Sequence, residues 1–298
     1  MSQTITPELR QWIVAQAQAG FSPEAVLEAM KAAGWAEAVA MEALENTLKQ
    51  HLQSISAGQT LKPLPAGAVA SAGSAPAQAG TPVPEIDLSA APREIDLGDR
   101  TVRVLAALRT PRVVVIGGLL SEDECEGLIE LARPHLARSL TVQATSGGEE
   151  LNPARTSSGM FFNRGANPLV STIEARIARL VNWPVTHGEG LQVLSYRQGA
   201  EYKPHYDYFD PAQPGTPTIL QRGGQRVGTV VMYLNAPGQG GGTTFPDVGL
   251  EVAPQPGHAV FFSYARPHPD TRTLHGGAPV LAGEKWVATK WLREGEFR

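Results

Sequence analysis

Apolar and polar positions divide the chain into three stretches. Up to about residue 55 the apolar residues recur at helical spacing. Leu9, Trp12, Ile13 and Ala17 form one stripe, Val26, Leu27 and Met30 a second, and Val39, Leu44 and Leu48 a third. Gly20 and Gly34 stand where two of these helices would stop, and Ser22-Pro23 offers an N-cap followed by proline at the first helical position. The third helix is expected from about Ala36 to Gln53. From about Asp99 the period shortens to two. Strands are predicted over Val102–Leu108, Arg112–Ile116, Leu191–Arg197, Val227–Asn235, His258–Tyr264 and Lys285–Arg293. Two helices interrupt them, one from the capping box Ser121-Glu122-Asp123-Glu124 to about Ala137 and one from about Leu169 to Val181. Glycine- and proline-rich loops join the strands, notably Pro211–Gly224 and Gly238–Gly242. The expected fold class is mainly β, a sandwich or barrel with flanking helices, preceded by a small N-terminal helical bundle.

Between these stretches the composition changes. Residues 57–84 hold 8 alanines, 5 prolines and 4 glycines, with Lys62 as the one charge and no aromatic residue. Such a segment buries too little to offset its ordering entropy. The organisation predicted is a helical bundle over 1–55 for docking or dimerisation with an unidentified partner, a flexible linker over 56–94, and a catalytic domain over 95–298. The echoes Glu85-Ile86-Asp87-Leu88 and Glu94-Ile95-Asp96-Leu97 read as edge strands or extended arms. A net charge of -4 argues against a nucleic-acid binder driven by global charge. With Cys125 as the one cysteine, an internal disulfide and a multi-cysteine zinc site are both excluded. No signal-like N-terminus or membrane span is seen, so a cytoplasmic location is expected.

The most informative stretch is Tyr202-Lys203-Pro204-His205-Tyr206-Asp207. Residues two apart in a strand point to one face, so His205 and Asp207 can bind one metal ion together. His275, in Thr273-Leu274-His275-Gly276-Gly277, is the candidate third ligand. Two imidazoles and a carboxylate make the facial triad of non-haem Fe(II) oxygenases, which leaves positions open for a co-substrate and dioxygen. A rival pair, His268 and Asp270, is wedged between prolines in an apparent loop. His51, His135, His187 and His258 read as surface or structural residues. Alternation along Lys285–Trp291 puts Lys285, Val287, Thr289 and Trp291 on one face. A lysine buried among such neighbours calls for an anion, and a carboxylate-bearing co-substrate would supply it. The glycines of Gly240-Gly241-Gly242-Thr243-Thr244-Phe245-Pro246 permit close backbone approach.

From about Thr110 onward these motifs resemble the 2-oxoglutarate- and Fe(II)-dependent dioxygenases of the prolyl 4-hydroxylase type. Seven blocks run in family order: 155–159, 191–196, 202–207, 226–235, 240–246, 273–280 and 283–291. The resemblance implies a double-stranded β-helix (jelly-roll) core. It implies that His205, Asp207 and His275 hold Fe(II), and that Lys285 pairs with the distal carboxylate of 2-oxoglutarate beside Tyr196 and Thr243. It further implies that Arg155, Ser157, Arg226 and Trp291 meet the substrate. The reaction expected is O2-dependent hydroxylation, most of all of prolyl residues in a peptide or protein to 4-hydroxyproline, releasing succinate and CO2, with ascorbate as a candidate reductant. Asp207 favours hydroxylation, because halogenating relatives replace that carboxylate with a small residue. The alternatives are a free amino acid or natural product as substrate, or a non-catalytic metal-binding adaptor.

Overall fold

The computed structural model describes residues 10, 13, 23–32, 35–57, 82–139, 141–142, 148–150 and 154–298. The chain divides into two units at Ser74/Ala75. In the first unit the described residues form helices α1 (Pro23–Ala32) and α2 (Glu37–Ala57). They pack through Val26 and Met30 against Ala40, Ala43 and Leu44, with Ile13 in the same cluster. The helix expected over Leu9–Ala17 lies outside the described residues apart from Arg10 and Ile13. So do Gly20, Ser22, Gly34 and residues 58–81 of the expected linker.

The second unit is mainly β. Its elements are β1 (Glu94–Asp96), β2 (Thr101–Leu108), β3 (Arg112–Gly117), α3 (Glu122–Ala132), β4 (Ala137–Arg138), β5 (Ser158–Phe162), α4 (Pro168–Leu180), β6 (Leu191–Tyr196), β7 (Tyr202–His205), α5 (Thr216–Leu220), β8 (Arg226–Tyr233), β9 (Thr243–Phe245), β10 (Leu250–Val252), β11 (Ala259–Ser263), β12 (His275–Gly277) and β13 (Lys285–Arg293). A nine-stranded antiparallel sheet runs β1-β2-β3-β11-β8-β13-β6-β5-β4, and a four-stranded one runs β10-β9-β12-β7. The two sheets face each other across Val113, Leu194, Tyr233, Phe245, Val260, Phe262 and Val287. This is a jelly roll. The other face of the large sheet buries Val193, Met232, Trp286 and Ala288 with Leu128 of α3 and Ile173 and Ile177 of α4.

Alternation explains these two faces. Along β13, Trp286 and Ala288 join the helix-side core, while Val287 joins the layer between the sheets. The arm at residues 84–88, inside the 56–94 expected for the linker and read as an edge strand or extended arm, packs within the second unit. Glu85 N donates to Val181 O, and Ile86 is buried because the apolar members of Glu85-Ile86-Asp87-Leu88 share one face.

The α3 capping box is closed. Ser121 Oγ accepts from Glu124 N at 3.1 Å, and Ser121 N donates to Glu124 Oε2 at 2.8 Å. The Glu124 carboxylate also takes Arg176 of α4, at 2.7 Å and 2.9 Å, so one residue caps α3 and ties it to its neighbour. The helix ends at Ala132 rather than near Ala137, because Pro134 cannot donate to the ladder and the chain tightens into a 3-10 turn over Arg133–His135. Ser121→Ala should cost about 1 kcal/mol, read as a lower denaturant midpoint at unchanged slope.

Candidate active site

Pairing of β7 with β12 sets His205 directly opposite His275. Asp207 lies just beyond the end of β7 and is buried. Its Oδ1 stands 3.5 Å from His205 Nε2 and its Oδ2 3.4 Å from His275 Nε2. The three ligand atoms lie within 4.8 Å of one another. Each imidazole is oriented by the same local device, an Nδ1 bond to the carbonyl two residues earlier. His205 Nδ1 meets Lys203 O and His275 Nδ1 meets Thr273 O, both at 2.9 Å. A carbonyl only accepts, so both Nδ1 atoms carry the proton and both Nε2 atoms present lone pairs. Two imidazole lone pairs and a carboxylate aimed at one point fit a metal cation and little else.

Electrostatics agree. Burial pushes the His275 imidazole down to about 4, so it is neutral at physiological pH. For Asp207 burial opposes ionisation, yet the carboxyl is held below its usual range, and Arg226 is the neighbour that stays cationic throughout. The rings are packed in place: Tyr202 stacks on His205 at 3.7 Å between centroids, and Phe262 lies 4.4 Å from His275.

Lys285 lies beside this triad, its Cα paired with that of Tyr196 on β6. It is 4% exposed, and burial pushes its ammonium down to about 8, with Glu251 partly offsetting this. The rings of Tyr196 and Tyr233 flank Nζ at 5.6 and 5.8 Å. Among the described residues no carboxylate comes within ion-pair distance of it. A buried cation without an anion is costly, so this end of the site fits an incoming carboxylate. The Tyr233 hydroxyl donates to Thr243 Oγ1 at 2.7 Å, fixing the threonine on the opposite wall.

An inner cavity of about 50 Å³ joins these groups: the triad, Tyr196, Thr243, Lys285 and Trp291 line it together. The face read from alternation, Lys285, Val287, Thr289 and Trp291, is the face that lines it. An outer cleft of about 690 Å³ shares His205, Asp207, Arg155, Tyr202 and Trp291 and adds Phe161, Tyr206, Tyr208, Phe209 and Arg226.

The residues expected to meet substrate are distributed unevenly. Arg155 lines both cavities, with its guanidinium 5.0 Å from the Tyr202 ring and Nη2 donating to Gln192 Oε1 at 2.7 Å. Trp291 also lines both. Arg226 lies 4.0 Å above the Trp291 ring, but its Nε and Nη2 are taken by Glu189 at 2.6 and 2.9 Å. Ser157 departs from expectation. It is fully buried, donates to Ser139 Oγ at 2.9 Å and lines neither cavity, because the extended chain after Arg155 turns it into the β4–β5 side of the domain. The rival pair His268 and Asp270 forms an exposed contact at 3.1 Å that Arg266 shares.

Several residues were missed from sequence. Thr229 Oγ1 donates to Asp207 Oδ2 at 2.7 Å, and Glu189 sits between Arg226 and Arg293. Thr229 had a legible signal, a small polar side chain on the face it shares with Val231 and Tyr233. The Glu189 pairing is long-range and had none.

Residues 191–293 match the model of the 2OG-Fe(II) oxygenase superfamily. The chain is 41% identical over 222 residues to "Probable prolyl 4-hydroxylase 3" of Arabidopsis thaliana, covering 67% of this chain and 75% of the relative. It is 40% identical over 223 residues to "Prolyl 4-hydroxylase 5" of the same organism, covering 67% and 74%. The crystal structure of a viral collagen prolyl hydroxylase from Paramecium Bursaria Chlorella virus-1, in its 2OG complex, is 30% identical at a TM-score of 0.47, covering 61% of this chain and 95% of that chain. The chain, with a triad and a buried lysine that suit Fe(II) and 2-oxoglutarate, therefore belongs to the 2OG-Fe(II) oxygenase superfamily, in the family of the prolyl 4-hydroxylases, and is a 2-oxoglutarate-dependent dioxygenase.

Proposed function

We propose that this dioxygenase hydroxylates prolyl residues within peptides or proteins, giving 4-hydroxyproline. One observation carries the substrate class: the cleft of about 690 Å³ that opens beside the triad and is walled by Phe161, Tyr206, Tyr208, Phe209 and Trp291. That volume far exceeds a single free amino acid and suits several linked residues on an apolar, aromatic surface. The names of the relatives point the same way.

In this reading His205, Asp207 and His275 hold the iron, and Lys285, with Tyr196 and Thr243, receives the distal carboxylate of 2-oxoglutarate. Bound there, iron, 2-oxoglutarate and O2 supply the oxidising chemistry, with succinate and CO2 released. The protein orients the substrate C–H over Trp291 and keeps water from the reacting centre. The catalytic domain is proposed to span 95–298, and every residue lining the two cavities falls between Ala154 and Trp291. Among the described residues no helix is long and apolar enough to cross a membrane; a cytoplasmic location remains part of the proposal.

The test is succinate formation with a proline-rich peptide against free proline, with mass spectrometry of the peptide. Peptide-dependent succinate and one added oxygen on a prolyl residue are expected. Turnover of free proline with the peptide left unmodified would overturn the peptide reading.

A further inference from the structure

We propose that Thr229 and Tyr264 are positioning residues for the metal, a directed pair of hydroxyls that holds the Asp207 carboxylate where it faces His205 and His275. This rests on the triad being the iron site.

Thr229 lies mid-strand in β8, paired with Phe262 on one side and Trp291 on the other, and has no solvent exposure. Its inward neighbours further along the strand are Val231 and Tyr233. A valine would fill the same space, and a hydroxyl buried there is costly unless it is bonded. The hydroxyl lies 2.7 Å from Asp207 Oδ2 and 3.2 Å from the Tyr264 hydroxyl.

The direction of these bonds follows from proton bookkeeping. An ionised carboxylate only accepts, so Thr229 must spend its single hydrogen on Asp207. The contact with Tyr264 can then run only with the phenol as donor. The chain is Tyr264 to Thr229 to Asp207. The buried Tyr264 hydroxyl has no other hydrogen-bond partner among the described residues.

The three metal ligands are thus oriented by three single bonds. The two histidines use backbone carbonyls that no substitution removes. Asp207 lies past a strand end, and no backbone amide among the described residues donates to its carboxylate. Its orientation depends on a side chain, and that side chain is Thr229. A ligand left without its supporting bond typically loses tenfold or more in metal affinity.

The test is anaerobic titration with Co(II) followed by absorption, on the full chain and on Thr229→Val, Thr229→Ser, Tyr264→Phe and the Thr229→Val/Tyr264→Phe double variant. Thr229→Val should weaken Co(II) binding about tenfold and alter the Co(II) bands, while Thr229→Ser should bind within about twofold of wild type. Tyr264→Phe should weaken binding about threefold. In the double variant that second loss should vanish, because Tyr264 acts only through the threonine hydroxyl. Wild-type affinity in Thr229→Val would overturn the proposal, as would a Tyr264→Phe loss of equal size with and without the hydroxyl. Should Thr229→Val fail to fold, Tyr264→Phe decides, and unchanged affinity there overturns it. A wild-type protein that bound no Co(II) would instead strike down the iron site itself, and this inference with it.

Discussion

Lys285→Ala is expected to weaken 2-oxoglutarate binding about a hundredfold while Fe(II) affinity stays within about twofold. A charge-assisted bond to a buried group contributes about 3 kcal/mol, and 1.4 kcal/mol is a factor of ten. The two effects separate because Lys285 lines the inner cavity without being one of the three groups, His205, Asp207 and His275, that converge to hold the metal. The measurement is anaerobic titration of 2-oxoglutarate into Fe(II)-loaded protein, following the visible band of a chelated 2-oxo acid. Equal losses of iron and co-substrate would refute the anchor assignment.

The same lysine sets a pH dependence. Burial brings its ammonium down to about 8, so it is cationic below that value and neutral above it. Affinity for the dicarboxylate should be flat below pH 8 and fall as pH rises through it, toward tenfold per unit. In Lys285→Arg, which stays charged throughout, the fall should disappear.

How much of this was legible in sequence depended on range. The capping box at Ser121 and Glu124, and the shared face of Lys285, Val287, Thr289 and Trp291, are local patterns whose geometry follows from helix and strand periods alone. His205 and Asp207 were readable for the same reason. His275 was readable as a residue type, but its place opposite His205 is a matter of β7–β12 register, which the short motif around it does not encode. Strand β5 is absent from the predicted strands; Ser158–Phe162 is extended because it pairs with β4 and β6, contacts that no local pattern encodes.

Ser157 was misread because it neighbours Arg155 in sequence, whereas only the long-range contact with Ser139 decides where it points. The segment Pro211–Gly224 reads as a glycine- and proline-rich loop. It contains α5, and the chain just before it is pinned by Gln225, whose side chain both donates to Phe209 O and accepts from Phe209 N. Such clasps join residues 16 apart and have no sequence period.

Glu189→Ala is expected to be the most destabilising single change near the cleft, costing about 3–5 kcal/mol. Adjacent strands place Arg226 beside Arg293. Two like charges with restricted solvent there are tolerable because one buried carboxylate serves both: Oε1 takes Nε of Arg226 and Nε of Arg293, each at 2.6 Å, and Oε2 takes Nη2 of Arg226 at 2.9 Å. Removing it leaves two buried guanidiniums facing each other, and the cost is that of uncompensated charge rather than of lost contacts. Thermal unfolding should show it as a large fall in Tm, with Glu189→Gln intermediate.

The sign of the pH dependence distinguishes this from a packing defect. Burial alone would raise the Glu189 carboxyl, but Arg226 and Arg293 outweigh it and hold it below its ordinary value of 4.5. Its stabilisation is therefore complete above pH 4.5 and is lost as pH falls through the lower folded value. The gap between wild type and Glu189→Ala should be constant near neutrality and close in acid. A gap that stayed the same down to the lowest pH at which both proteins fold would mean the side chain acts by filling space. Function should follow the same geometry. Arg226 lies over the Trp291 ring while Glu189 holds its edge, so Glu189→Gln should raise the KM for a peptide substrate several-fold while leaving 2-oxoglutarate affinity, set at Lys285, unchanged.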